Sequence, residues 1–92
     1  MSETAARTVE IVNKRGLHAR ASAKFVKAAA AFDAEVRVSK DGQTVDARSI
    51  MGLMMLAAGP GSCIDIEAEG AEAEAAVAAL EALVTDRFDE DE

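Results

Sequence analysis

Glu35-Val36-Arg37-Val38-Ser39-Lys40-Asp41-Gly42-Gln43-Thr44-Val45-Asp46-Ala47 is the stretch whose reading decides the fold class. Val36 and Val38 alternate with polar residues over Glu35 to Lys40, and Val45 resumes the alternation over Thr44 to Ala47. The Asp41-Gly42 pair between them suits a tight turn with two positive φ angles, so the segment is predicted to be a β-hairpin. The periodicity changes on both sides of it. Upstream, Ser22, Phe25, Val26, Ala29 and Phe32 recur at three- and four-residue spacings, with Arg20, Lys24 and Lys27 opposite. That pattern predicts an amphipathic helix from about Ala19 to Phe32 with a basic outer face. Downstream, Ser49 opens the apolar run Ile50 to Ala58, a two-turn helix stopped by Gly59-Pro60-Gly61.

The outer segments repeat the two patterns. Thr8 to Val12, with Val9 and Ile11 in alternation before the polar Asn13 to Gly16, reads as a first strand, and Cys63 to Glu69, with Ile64, Ile66 and Ala68, as a fourth. After Gly70 the residues Ala73, Ala76, Val77, Leu80, Leu83 and Val84 return at helical spacing and predict a closing helix. The order is β-α-β-β-α-β-α with short links, an α+β layer with helices on one face of a single sheet. Several topologies share that order, ferredoxin-like regulatory domains among them, and periodicity does not choose between them. The expected organisation is a short flexible N-terminus over residues 1–6, one domain over 7–88 and an acidic tail over 89–92, within a run from Asp86 to Glu92 predicted to fray in solvent.

With 92 residues the chain has room for one core. Three Phe, no Trp or Tyr, and many Ala make that core thin and aliphatic. No run of apolar residues is long enough for a membrane span, and no basic N-terminal segment precedes an apolar one, so membrane insertion is not expected and a cytoplasmic location is. The single Cys63 has no partner for a disulfide or a metal cluster, and its Ile64 and Ile66 neighbours suggest a small core residue. The net charge of −7 argues against nucleic-acid binding, yet residues 1–48 carry nine bases against six acids and residues 49–92 one against eleven. The cluster Lys14, Arg15, Arg20, Lys24 and Lys27 suits an anion or an acidic partner surface, although a solvated helix face explains part of it.

The one histidine stands in Asn13-Lys14-Arg15-Gly16-Leu17-His18-Ala19-Arg20, at the predicted start of the first helix. A helix N-terminus offers unpaired N–H donors and a partial positive charge, both favourable to a phosphate carried on a side chain there. Arg20 adds a donor fork matched to phosphate oxygens. The positive surroundings are expected to disfavour the imidazolium form and keep a neutral, nucleophilic ring nitrogen available. Gly16 lets the backbone turn sharply and leaves the ring exposed. Against this stands the plain alternative that a polar residue at a helix start caps it or faces water. Zinc is not expected, because one His and one distant Cys are not a ligand set. A serine-hydrolase arrangement lacks an identifiable serine and orienting carboxylate, and Gly59-Pro60-Gly61 lacks the spacing of a phosphate loop.

Gly16-Leu17-His18-Ala19-Arg20 resembles the active-site segment of the HPr phosphocarriers of the bacterial phosphotransferase system, and Ser49-Ile50-Met51-Gly52-Leu53-Met54 resembles their second signature. The separation of the two, the element order and the length fit from about Arg7 to Phe88. The resemblance implies an open-faced β-sandwich with a four-stranded antiparallel sheet in the order 1-4-2-3. It implies that His18 accepts a phosphoryl group on Nδ1 with Arg20 stabilising the phosphate. It also implies that the group comes from phosphorylated enzyme I and passes to an EIIA-type protein, so that the chain is a relay and not an enzyme, without cofactor or metal. Many sugar-transport members have Pro directly after the Arg, where this chain has Ala21. The continuation Ala21-Ser22-Ala23-Lys24 is closer to the nitrogen-related branch, whose output is regulatory.

Ser49 has two readings. As N-cap of the short helix it satisfies an orphan N–H, a contribution of about 1 kcal/mol; the resemblance implies regulatory phosphorylation there by HPr kinase/phosphorylase where that enzyme is present. The run Ile50 to Leu56 holds more apolar residues than one buried face can accept, which leaves some on the surface near His18. The resemblance implies a docking role for Ile50, Met51 and Met54, joined by Leu17, while Leu53 and Leu56 are expected in the core. A monomer is expected, since a relay must exchange partners quickly. The alternatives are a regulatory domain that binds an anionic effector without a covalent step, and a structural subunit in which His18 only caps a helix.

Overall fold

A computed structural model of the chain describes residues 3–90. It contains β1 (Glu3–Glu10), α1 (Ala19–Ala30), β2 (Glu35–Lys40), β3 (Gln43–Asp46), α2 (Ile50–Met55), β4 (Cys63–Gly70), α3 (Ala73–Thr85) and a closing 3-10 turn (Arg87–Asp89). The four strands form one antiparallel sheet in the order β1-β4-β2-β3, the order implied by the resemblance. Asp41 and Gly42 both take positive φ, at 52° and 83°, and close the β2–β3 hairpin with Lys40 opposite Gln43.

One face of the sheet builds the core. Val9, Val36, Val38, Ile64, Ile66 and Ala68 point inward and meet Phe25 and Ala29 of α1 and Ala76, Val77, Leu80 and Val84 of α3. The alternate residues form an open polar face, where Thr8 Oγ1 donates to Asp65 across β1 and β4 and the Ser39 and Thr44 hydroxyls bond across the hairpin. Cys63 belongs to that outer set and is exposed, which corrects its expected burial. Strict alternation puts it in phase with Asp65 and Glu67, opposite to Ile64 and Ile66.

Three boundaries also differ from expectation. β1 begins at Glu3, so Glu3 to Ala6 lie in the sheet and not in a flexible leader, because β4 extends to Gly70 and pairs with every residue from Glu3 to Glu10. α2 ends at Met55, ahead of the glycines, because Ala57 takes a left-handed conformation at φ 52°. The segment after α3 is folded: Phe88 is fully buried and Glu90 is partly buried against His18 and Asn13, so the predicted frayed tail is corrected over its described part. Met1, Ser2, Asp91 and Glu92 lie outside the described residues.

Candidate functional site

His18 is the N-cap of α1, in extended conformation at φ −74° and ψ −179°. Its backbone carbonyl accepts the first helical hydrogen bond from Ser22, at 2.8 Å, so the amides of the first turn precede the ladder and keep their donors for an anion. The side chain makes no capping hydrogen bond, so the imidazole is not engaged by the first-turn amides.

The loop that carries His18 is held from beneath. Leu17 N–H donates to Ala58 O at 2.9 Å, Ile11 N–H to Ser62 O and Gly61 N–H to Ile11 O, so the Gly59-Pro60-Gly61 turn is the floor of the histidine loop as well as a helix stop. Gly16 sits at φ +64° against that floor, where an added Cβ would lie 2.3 Å from Ala58 O. The buried Ser22 hydroxyl donates to Leu17 O at 3.2 Å and fixes the carbonyl just before His18. Leu17, expected at the contact surface, is 5% exposed and belongs to the core. The correction follows from the same bond to Ala58, which turns the Leu17 side chain under the loop.

The residue that the sequence reading missed is Glu90. Its carboxylate hydrogen-bonds Nε2 of His18 through one oxygen, and the other accepts a 3.1 Å bond from Asn13 Nδ2. Asn13 is fully buried, and its amide also donates to Gly16 O at 2.9 Å. Both neighbours are acceptors, so the NH2 group faces them, and Oδ1 is left without a hydrogen-bond partner among the described residues. Partial burial works against the charged form of Glu90. The hydrogen bonds from His18 and Asn13, with the nearby charges of His18 and Arg15, outweigh it and hold the carboxyl below its usual range. The expectation that His18 sits in purely positive surroundings is thereby corrected: the basic cluster is present, but a carboxylate from the far end of the chain lies against the ring.

The segment from Arg87 to Glu90 acts as a strap. Arg87, Phe88 and Asp89 take positive φ at 58°, 54° and 63°, a left-handed run that costs non-glycine residues on the order of 1 kcal/mol each. The buried Phe88 ring and a 2.6 Å bond from Lys24 Nζ to Phe88 O hold it in place. Lys24 is therefore spent on the strap, while Arg20, in the first turn of α1, and Lys27 are exposed.

Beside this loop lies α2. Ser49 is its N-cap, with Oγ accepting from Gly52 N–H at 2.9 Å, as the capping reading requires. Gly52 is needed there, since a Cβ would crowd both Ser49 Oγ and Val45 at 3.1 Å. Leu53 and Leu56 are buried, whereas Ile50, Met51 and Met54 are exposed together with Val12 and Met55, two residues the sequence reading did not single out. Met51 is the most open of them at 75%.

Three comparisons bear on this arrangement. A family model described as the PTS HPr component phosphorylation site matches residues 5–86. The phosphocarrier protein HPr of Cupriavidus necator is 51% identical over 86 residues, which span 94% of this chain and 97% of that one. Among solved structures, HPr-C-His of Thermoanaerobacter tengcongensis superposes with a TM-score of 0.91 at 42% identity, covering 96% of this chain and 99% of that one. An HPr of Bacillus anthracis gives 0.84 at 48% identity, covering 88% and 96%.

Proposed function

The chain belongs to the HPr family of phosphocarriers, relay proteins and not catalytic enzymes, and from that premise we propose that it accepts a phosphoryl group from phosphorylated enzyme I on Nδ1 of His18 and passes it to an EIIA-type protein. The observation that carries the reading is His18 itself: a ring at the mouth of a twelve-residue helix, engaged at Nε2 and not used as a cap. A phosphate on Nδ1 finds the first-turn amides and the Arg20 guanidinium within the same turn of chain.

Ile50, Met51 and Met54 supply the docking surface, extended by Met55 and Val12. Flexible thioethers let one patch fit two partners in turn. Ser49 combines its capping role with regulatory phosphorylation where an HPr kinase/phosphorylase is present, since phosphate at that position adds charge inside the docking surface. The working form is a cytoplasmic monomer that needs no metal or organic cofactor and no nucleic acid, and no helix among the described residues is long and apolar enough to cross a membrane. The continuation Ala21-Ser22-Ala23-Lys24 favours the regulatory output of the nitrogen-related branch.

The test is the relay as a whole. The chain is charged with labelled phosphate by enzyme I, separated from it, and mixed with an EIIA-type protein. Label moving to the acceptor without enzyme I supports the reading. Label that stays on the chain, or never reaches it, counts against it and favours the effector-binding alternative.

A further inference from the structure

We infer that Glu90 is a positioning residue for phosphoryl transfer, one that holds a proton on Nε2 of His18 and so directs the chemistry to Nδ1. The inference rests on the reading of His18 as the phosphoryl acceptor and adds the part that the strap plays in it.

Glu90 reaches the ring because the chain is built to bring it there. Three successive left-handed residues, a buried Phe88 and the Lys24 bond to Phe88 O turn the segment back over α1, and Asn13, itself fixed on Gly16 O, orients the carboxylate by its second oxygen. A costly backbone conformation that ends on a reactive side chain is the pattern expected of a functional strap. The carboxylate is an acceptor, so Nε2 must carry the hydrogen, and in the neutral ring Nδ1 then holds the free lone pair. Of the bases around the pair, Arg15 of the preceding loop acts on Glu90 through its charge, and Lys24 of α1 is engaged at Phe88 O.

The proton balance follows. The Nδ1 lone pair forms the bond to phosphorus while the donor's bond to phosphorus breaks and its electron pair stays on the donor. His18 then bears the phosphoryl group on Nδ1 and the original proton on Nε2, a cationic ring paired with the Glu90 carboxylate. In the onward step the N–P bond breaks with its pair returning to Nδ1, and neutral imidazole is the leaving group. No proton has to enter or leave in either step. Without Glu90 the phosphorylated ring more readily loses the Nε2 proton, and the leaving group becomes an imidazole anion, a much poorer one.

The experiment compares the wild type with Glu90→Ala, Glu90→Gln and, as a charge control on the open face of the sheet, Glu67→Gln, all as full chains phosphorylated by enzyme I from phosphoenolpyruvate. Glu90→Ala is expected to lower kcat roughly tenfold, the low end of the loss on removing a partner that orients a functional histidine, with KM for the chain changed by less than about twofold. Glu90→Gln, which keeps an acceptor oxygen, should recover part of the rate, and Glu67→Gln should match the wild type. In proton NMR of the free proteins a hydrogen-bonded imidazole N–H of His18 should be seen in the wild type and lost in Glu90→Ala. An unchanged or faster kcat in Glu90→Ala would overturn the inference, as would an N–H signal indifferent to the substitution. Failure of the wild type to take phosphate on His18 would instead sink the acceptor reading, and the NMR comparison separates the two because it needs no phosphate.

Discussion

Lys24 Nζ donates a 2.6 Å hydrogen bond to the carbonyl oxygen of Phe88, and this ties the middle of α1 to a turn two residues from the carboxylate on His18. The helix that carries the candidate acceptor therefore also anchors the segment that reaches back to it. Because the Phe88 ring has no exposed surface, truncation should remove both core packing and the strap. Phe88→Ala is expected to lower the unfolding free energy by about 3–5 kcal/mol in urea titration. A loss below about 1 kcal/mol would show that the ring is not part of the core.

The Glu90 contact should survive neutral pH and fail in acid. A carboxyl held below its unfolded value contributes stability above that value, and the contribution is lost as pH falls through the lowered folded value. For Glu90 the window lies below the ordinary carboxylate value of 4.5. The stability difference between wild type and Glu90→Gln should be present at about pH 7 and shrink as pH falls below the ordinary carboxylate value. A difference that is constant over that range would contradict the assignment of the charged contact.

Ser49 separates capping from charge. Asp is as good an N-cap as Ser, so Ser49→Asp should keep the stability of the wild type, whereas Ser49→Ala should lose about 1 kcal/mol with the Gly52 bond. If a negative charge at this position regulates docking, Ser49→Asp should slow phosphorylation by enzyme I roughly tenfold, about 1.4 kcal/mol in the transition state, while Ser49→Ala transfers normally. Equal rates for all three proteins would leave Ser49 with its capping role alone.

Met51 is a direct probe of the docking patch, since it is exposed and touches little of the core. Met51→Asp is expected to change stability by no more than about 0.5 kcal/mol while raising the KM of the chain for enzyme I about tenfold. Severe destabilisation with transfer kinetics intact would return Met51 to ordinary packing.

The parts of this molecule that were legible in its sequence are those governed by local pattern. The alternation of Val36, Val38, Ile64 and Ile66, the helical spacing of Phe25 and Ala29 and the Asp41-Gly42 turn each specify their element within a few residues. Topology was not so encoded, because strand order depends on which faces meet, and it entered only through two short motifs. Cys63 was misplaced by weighing its neighbours' hydrophobicity above the strand period that puts adjacent residues on opposite faces. Glu90 was missed because an acidic terminal run is ordinarily solvated, and a contact 72 residues distant leaves no periodic trace. One signal was available: Phe88, a large aromatic alone among acids, had to be buried somewhere, and its burial brings Glu90 to the site.

The central claim is that His18 is the acceptor, and it is tested most directly by incubating wild type and His18→Ala with active enzyme I and phosphoenolpyruvate and following intact mass and acid lability. The account predicts one acid-labile phosphate on the wild type and none on His18→Ala. Phosphate on both proteins, or on neither, would contradict it.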